Sequence, residues 1–105
     1  MDTTARSKLT AQLIRNLRVP VVAAPMFLLS GPEIVIAACR AGVIGAFPTT
    51  NARTLEELDA WMTTIAAAQG PTTAPWAANL ITHSTNQRLP QDLELVARHR
   101  PPLVI

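Results

Sequence analysis

The side chains of this chain that could do chemistry gather just after three short apolar runs. Ala24-Pro25-Met26 closes the first run, Pro48-Thr49-Thr50-Asn51 follows the second, and Asn79 stands inside the third with His83, Ser84, Thr85 and Asn86 beyond it. An asparagine amide donates and accepts at once, so Asn79 can grip a ligand that carries both N–H and C=O groups. It can equally bond to neighbouring backbone, because a polar group in a buried strand must find a partner. His83 is placed either to meet a substrate as acid, base or anion contact, or to be an ordinary loop histidine. Pro25 and Met26 read either as a ligand-facing turn or as a strand terminator followed by a core methionine. His99, between Arg98 and Arg100, reads as a solvated side chain that complements a helix dipole.

Several chemistries are excluded. Gly42-Val-Ile-Gly45 leads into an apolar run and does not open a helix, so it is neither a dinucleotide fingerprint nor a phosphate loop. No nucleophile elbow, Ser-His-Asp set or paired carboxylates stand after the apolar runs, and the acids fall on helical segments, where caps and solvated faces account for them. Cys39 is the single cysteine. It allows no internal disulfide and no zinc cluster, reads as a small buried hydrophobe, and suits a reducing compartment such as the cytoplasm. The nine Lys and Arg residues are scattered and the net charge is only +2, which argues against nucleic acid as a partner. The longest uncharged stretch, residues 60–87, is broken by Gly70-Pro71 and Pro75 and is no membrane span.

With 49% apolar and 15% charged residues the chain has the composition of a folded domain. Residues 1–18 form an N-terminal helix or extension, with Leu9, Leu13 and Leu17 a turn apart. Organellar presequences share that pattern, but Asp2 weakens the comparison, and a helix packed on the following domain is the plainer reading. From residue 19 onward, short apolar runs alternate with helical stretches. Residues 19–24 form a first strand. Ser30-Gly-Pro-Glu33 starts a helix, with the Ser30 hydroxyl as cap, proline in the first turn and Glu33 reaching back. That helix runs to Ala41, buries Ile34, Ala37, Ala38 and Ala41, and ends on a left-handed Gly42.

A second strand covers residues 43–47 and stops at Pro48. Thr54-Leu-Glu-Glu57 is a second capping box, and Leu55, Leu58, Trp61, Met62 and Ile65 follow at helical spacing. Residues 76–81 form a third strand. Pro90 opens a third helix carrying Leu93, Val96 and Ala97, and residues 103–105 begin a fourth strand. Strand and helix in strict alternation, with strands apolar throughout, predict an α/β fold with a parallel sheet buried on both faces. No linker divides residues 19–105.

Three of these segments, in order and spacing, resemble one family. Val19-Pro-Val-Val-Ala-Ala-Pro-Met26 with its Ser-Gly-Pro-Glu helix start, Ala41-Gly-Val-Ile-Gly45 and Trp76-Ala-Ala-Asn-Leu80 are similar to the N-terminal third of the nitronate monooxygenases, also called 2-nitropropane dioxygenases. Asn79-Leu-Ile-Thr-His83 followed by Asn86-Gln-Arg-Leu89 resembles a bacterial subgroup of that family. The resemblance runs over essentially residues 19–105. It departs at Val43, where the family has a second glycine.

The resemblance implies part of a TIM (β/α)8 barrel, since 105 residues fall well short of the roughly 250 that a whole one takes. It also implies FMN as cofactor, with Ala24, Pro25, Met26 and Asn79 against the flavin and His83 facing the substrate pocket. The implied reaction oxidises an alkyl nitronate with dioxygen to a carbonyl product and nitrite. The family's catalytic histidine and phosphate loops belong to later parts of the barrel, so a truncated chain, inactive in isolation, is the expectation. The alternatives are an NAD(P)H-dependent reductase of the same barrel type, acting on a quinone or enoyl thioester, and a non-catalytic α/β module completed by a partner.

Overall fold

The computed structural model describes residues 3–105; Met1 and Asp2 lie outside it, as do the side chains of Thr3, Thr4, Arg6 and Leu9. Helix α1 (Thr3–Ile14) leads by a turn to strand β1 (Val22–Ala23). Helix α2 (Pro32–Ala41), strand β2 (Ile44–Pro48), a single 3-10 turn (Thr49–Asn51), helix α3 (Leu55–Ala67), strand β3 (Trp76–Asn79), helix α4 (Leu89–His99) and strand β4 (Leu103–Val104) follow. The four strands form one sheet in the order β1-β2-β3-β4, and every pair is parallel. The protein is therefore α/β, each pair of strands joined through a helix. No described helix is long and apolar enough to cross a membrane.

Alternation along the strands sorts side chains onto two faces. Phe47, Trp76 and Ala78 meet Val35 and Cys39 of α2, Leu58, Met62 and Ile65 of α3, and Leu95 and Val96 of α4 in the main core. Phe47 holds that core from its middle, edge-on to Trp61 at 5.8 Å and stacked near-parallel to Trp76 at 6.5 Å. The opposite face carries a smaller cluster, Ile44, Ala46 and Ala77, with Leu17 and Leu103 against it. Pro48 and Asn79 pair in register and lie two residues beyond Ala46 and Ala77, so both point to this second face at the carboxyl ends of their strands.

Two glycines fix the first crossover. Gly42 closes α2 in the left-handed conformation, φ 91°, with its N–H turned back to the carbonyls of Ala38 and Cys39. Gly45 lies under α2, where an added Cβ would sit 2.5 Å from the Val35 carbonyl oxygen. The close helix-to-strand approach thus rests on Gly45, and Val43 leaves it untouched.

Local details depart from the sequence expectations. Strand β1 is shorter than residues 19–24 because Pro20 has no N–H and the Val21 N–H bends back to the Val19 carbonyl at 2.9 Å. The cap of α2 is Gly31, with no side-chain bond; Ser30 is buried and its hydroxyl accepts the Met26 N–H at 2.8 Å instead. Helix α2 buries Val35 and Cys39, while Ile34, Ala37 and Ala41 face outward. In α4 the buried residues are Asp92, Leu95 and Val96, and Leu93 and Ala97 are exposed. His99 is not a solvated side chain: its Nε2 lies 2.6 Å from Asp59 Oδ1 and joins α4 to α3. The Thr54 cap forms as expected, Thr54 Oγ1 accepting the Glu57 N–H, while Glu57 Oε2 reaches one residue further back and accepts the Arg53 N–H.

Leu17 follows α1 and packs under the sheet, while Asn16 donates to the carbonyls of Pro71 and Thr73, both at 3.0 Å. The Arg18 N–H donates to the Gly42 carbonyl at 2.8 Å. These bonds tie the N-terminal segment to the amino-terminal end of the sheet.

Candidate functional site

In open parallel sheets, ligands bind beyond the carboxyl ends of the strands, where helix N-termini and loops converge. At that end the structure forms a cavity of about 400 Å³ bordered by Pro25 and Phe27 after β1, Pro48 and Thr50 after β2, and Asn79, Ile81, Thr85 and Asn86 after β3. Three consecutive strand ends, far apart in sequence, supply it. Pro25, Phe27, Pro48 and Ile81 make apolar walls. The polar groups are amides and hydroxyls, and no lining residue is charged.

Of the expected site residues, Pro25 and Asn79 meet in this cavity. Asn79 Nδ2 donates to the Ile105 carbonyl at 3.2 Å, the backbone bond anticipated as its structural role. Its Oδ1 has no partner among the described residues, and the same holds for the Thr50 hydroxyl, so an acceptor and a hydroxyl remain for a ligand. Met26 does not line the cavity, and Phe27 takes its place. The Met26 N–H is bound to Ser30 Oγ, while its carbonyl receives the Asn51 Nδ2 and the N–H groups of Leu29 and Ser30. Ala24 does not line the cavity either, so contacts from this segment fall to Pro25 and Phe27.

His83, expected to face the substrate pocket, is exposed and does not line the cavity. Its Nδ1 accepts the Thr85 N–H at 3.2 Å and lies 2.9 Å from Thr85 Oγ1, so it orders a residue that borders the cavity.

Neither the protein-family models nor the curated proteins compared with this chain match it. The site is accordingly read from its own geometry.

Two networks hold its loops, and both escaped the sequence. Asn51 spans the loops after β1 and β2: its Nδ2 donates to the carbonyls of Met26 and Ser30, both at 2.9 Å, and its Oδ1 accepts the Leu28 N–H at 3.0 Å. Asp92, one of the acids expected at caps or on solvated faces, is fully buried. Its Oδ1 receives Arg88 Nε at 2.7 Å and its Oδ2 receives the Thr49 hydroxyl at 2.9 Å, while Arg88 also donates to the carbonyls of Ala52 and Thr49. This ion pair locks the loop after β2, on both sides of Thr50, to the start of α4 just beyond Asn86. Only the pattern Arg88-x-x-x-Asp92, one turn apart at a helix start, hinted at it.

Among the described residues there is no cluster of three His, Cys, Asp or Glu able to hold a metal. Cys39 is fully buried, and desolvation pushes its thiol up from the ordinary range, which leaves it unreactive.

Proposed function

We propose that this chain forms the N-terminal part of a flavin-holding (β/α)8 barrel of nitronate monooxygenase type, with the cavity at the strand ends as the seat of the isoalloxazine ring. The observation that carries the reading is that Pro25, after β1, and Asn79, at the end of β3, border one cavity at the carboxyl end of an all-parallel sheet. The small residues Ala46 and Ala77 on the face opposite the helices suit the inside of a barrel, where facing side chains must share a narrow space.

The lining fits a flavin ring and does not fit its phosphate. A flat heteroaromatic ring is matched by the apolar surfaces of Pro25, Pro48 and Ile81, and Asn79 Oδ1 can accept from a ring N–H. No cation borders the cavity, so a phosphate would need groups from elsewhere. Bound there, FMN would supply the electron transfer from an alkyl nitronate to dioxygen that yields a carbonyl compound and nitrite. Asn79 orients the ring edge, Pro25 and Pro48 stiffen the platform, and His83 holds Thr85 at the cavity's border.

The test is nitrite release from propyl-1-nitronate in air, with FMN in excess over the protein. Flavin-dependent nitrite formation is the expected result once the later barrel segments are supplied, with none from this chain by itself. NAD(P)H consumption with a quinone, without nitrite from the nitronate, would replace this reading with that of a reductase.

A second reading is favoured by the sheet's two outer strands. Val21 and Val22 at β1, and Val104 and Ile105 at β4, are large apolar side chains about half exposed. A parallel sheet with such margins suits completion by further strands from a partner. A monodisperse, cooperatively melting monomer in size-exclusion chromatography would count against it.

A further inference from the structure

Away from the strand-end cavity, the turn at residues 26–30 and the groove beside it form a ridge and a furrow on one face. Leu28 and Leu29 make the ridge, 75% and 73% exposed. They border a cavity of about 660 Å³ whose other walls include Ile34 of α2 and Trp61 and Thr64 of α3. Trp61 is anchored there: its ring meets Phe47 of the core edge-on, and a Cβ added at Gly31 would lie 3.6 Å from it.

Leu28 sits in the left-handed region at φ 66°, which is strained for a side chain with a Cβ. Asn51 holds it so, its Oδ1 accepting the Leu28 N–H while its Nδ2 donates to the carbonyls of Met26 and Ser30. Strain maintained in order to keep an apolar side chain outward points to a use for that side chain.

Additional strands would not cover this face. Helices α2 and α3 lead into and out of β2, inside the sheet, whereas a sheet grows outward from β1 or β4. The furrow between the two helices stays open when a barrel is completed.

Charge indicates what does cover it. Glu33 and Arg53 border the same cavity, both exposed, and neither joins an ion pair among the described residues. A face with one ridge, one furrow, one acid and one base is matched by its own copy turned through a two-fold axis, ridge to furrow and acid to base twice over. A strongly acidic or strongly basic partner would set one of the two charges against its own sign.

We propose that this face binds a second copy of the chain in a two-fold dimer. Leu28 and Leu29 of each copy enter the furrow beside Trp61 of the other, and Glu33 faces the partner's Arg53. Phe27, on the same turn, borders the strand-end cavity, so the interface adjoins the candidate site.

Sedimentation velocity over a dilution series of the full chain tests this. The parent dimerises with a dissociation constant on the order of 10 μM, as befits a small interface. Leu28→Gly raises that constant about thirtyfold, because each dimer loses two buried leucines. Where both proteins are monomeric, its urea midpoint matches the parent's, since glycine takes φ 66° without strain. Glu33→Arg and Arg53→Glu, at exposed positions, stay folded by circular dichroism and each weaken self-association about tenfold by opposing like charges. An equimolar mixture of these two variants regains the parent's affinity as a heterodimer, since every crossing then joins opposite signs.

A parent that stays monomeric across the series overturns the proposal. So does a mixture no tighter than its components, or association that none of the three variants weakens, which would place the contact at the sheet's outer strands.

Discussion

Asp92 lies wholly inside the protein with Arg88 Nε 2.7 Å from its Oδ1, four residues back along the same helix start. The geometry joins the loop after β2, which borders the strand-end cavity, to the start of α4, because Arg88 reaches on to the carbonyls of Thr49 and Ala52. Removing one partner of a buried pair is costly mainly because it strands the other. Arg88 keeps partial access to water, which places the expected loss at the lower end of that range. Asp92→Ala lowers the unfolding free energy by about 3 kcal/mol in urea denaturation. The double variant with Arg88→Ala loses clearly less than the sum of the two single variants, as a coupled pair must.

Gly45 and Gly42 separate two kinds of glycine requirement. At Gly45 a Cβ would meet backbone, 2.5 Å from the Val35 carbonyl oxygen and 2.9 Å from its Cα, so α2 itself would have to move. At Gly42 a Cβ would meet the root of the Arg18 side chain, 2.5 Å from Cγ and 2.9 Å from Cβ, and φ 91° adds a conformational cost. Gly45→Ala is expected to destabilise by about 3 kcal/mol and Gly42→Ala by about 2 kcal/mol. Thermal denaturation of the two variants checks the order, and a Gly45→Ala protein that melts like the parent would contradict the close approach.

Cys39 gives a pH-dependent signature. Burial pushes its thiol up, so the folded protein holds the proton more tightly than the unfolded chain does. The stability this contributes is complete below the unfolded thiol's pKa, about 8.5, and is lost as pH rises through the folded value. Urea midpoints should therefore fall with pH above that point, and Cys39→Ala should flatten the fall. In the native protein the thiol should resist a disulfide reagent at neutral pH until the chain unfolds.

Much of the fold was legible in the amino-acid pattern because its signals are local. The Thr54 cap of α3, the left-handed stop at Gly42 and the apolar runs ended by Pro25 and Pro48 each depend on a few neighbouring residues. Helix α2 shows the limit. Ile34, Val35, Ile36, Ala37, Ala38 and Cys39 are apolar in succession, so periodicity cannot choose its inner face. The choice is made by Gly45, which admits the helix backbone at Val35.

The site was legible only in part, for the same reason. Asn79 and Pro25 stand at strand ends, which the pattern reveals. The exchange of Met26 for Phe27 is decided by Asn51, 25 residues on, and the burial of Asp92 by Thr49, 43 residues back. His99 likewise finds Asp59 only because α3 and α4 pack side by side. None of these pairings leaves a trace in spacing.

The central claim, that the strand-end cavity seats a flavin ring, is tested most directly by titrating isotope-labelled protein with lumiflavin and following amide shifts. The account predicts saturable changes at the Asn79 side-chain amide, Thr50 and Ile81, abolished in Asn79→Ala, with FMN no tighter than lumiflavin because no cation borders the cavity. Changes confined to the cavity beside Trp61, or no saturable change, would contradict it.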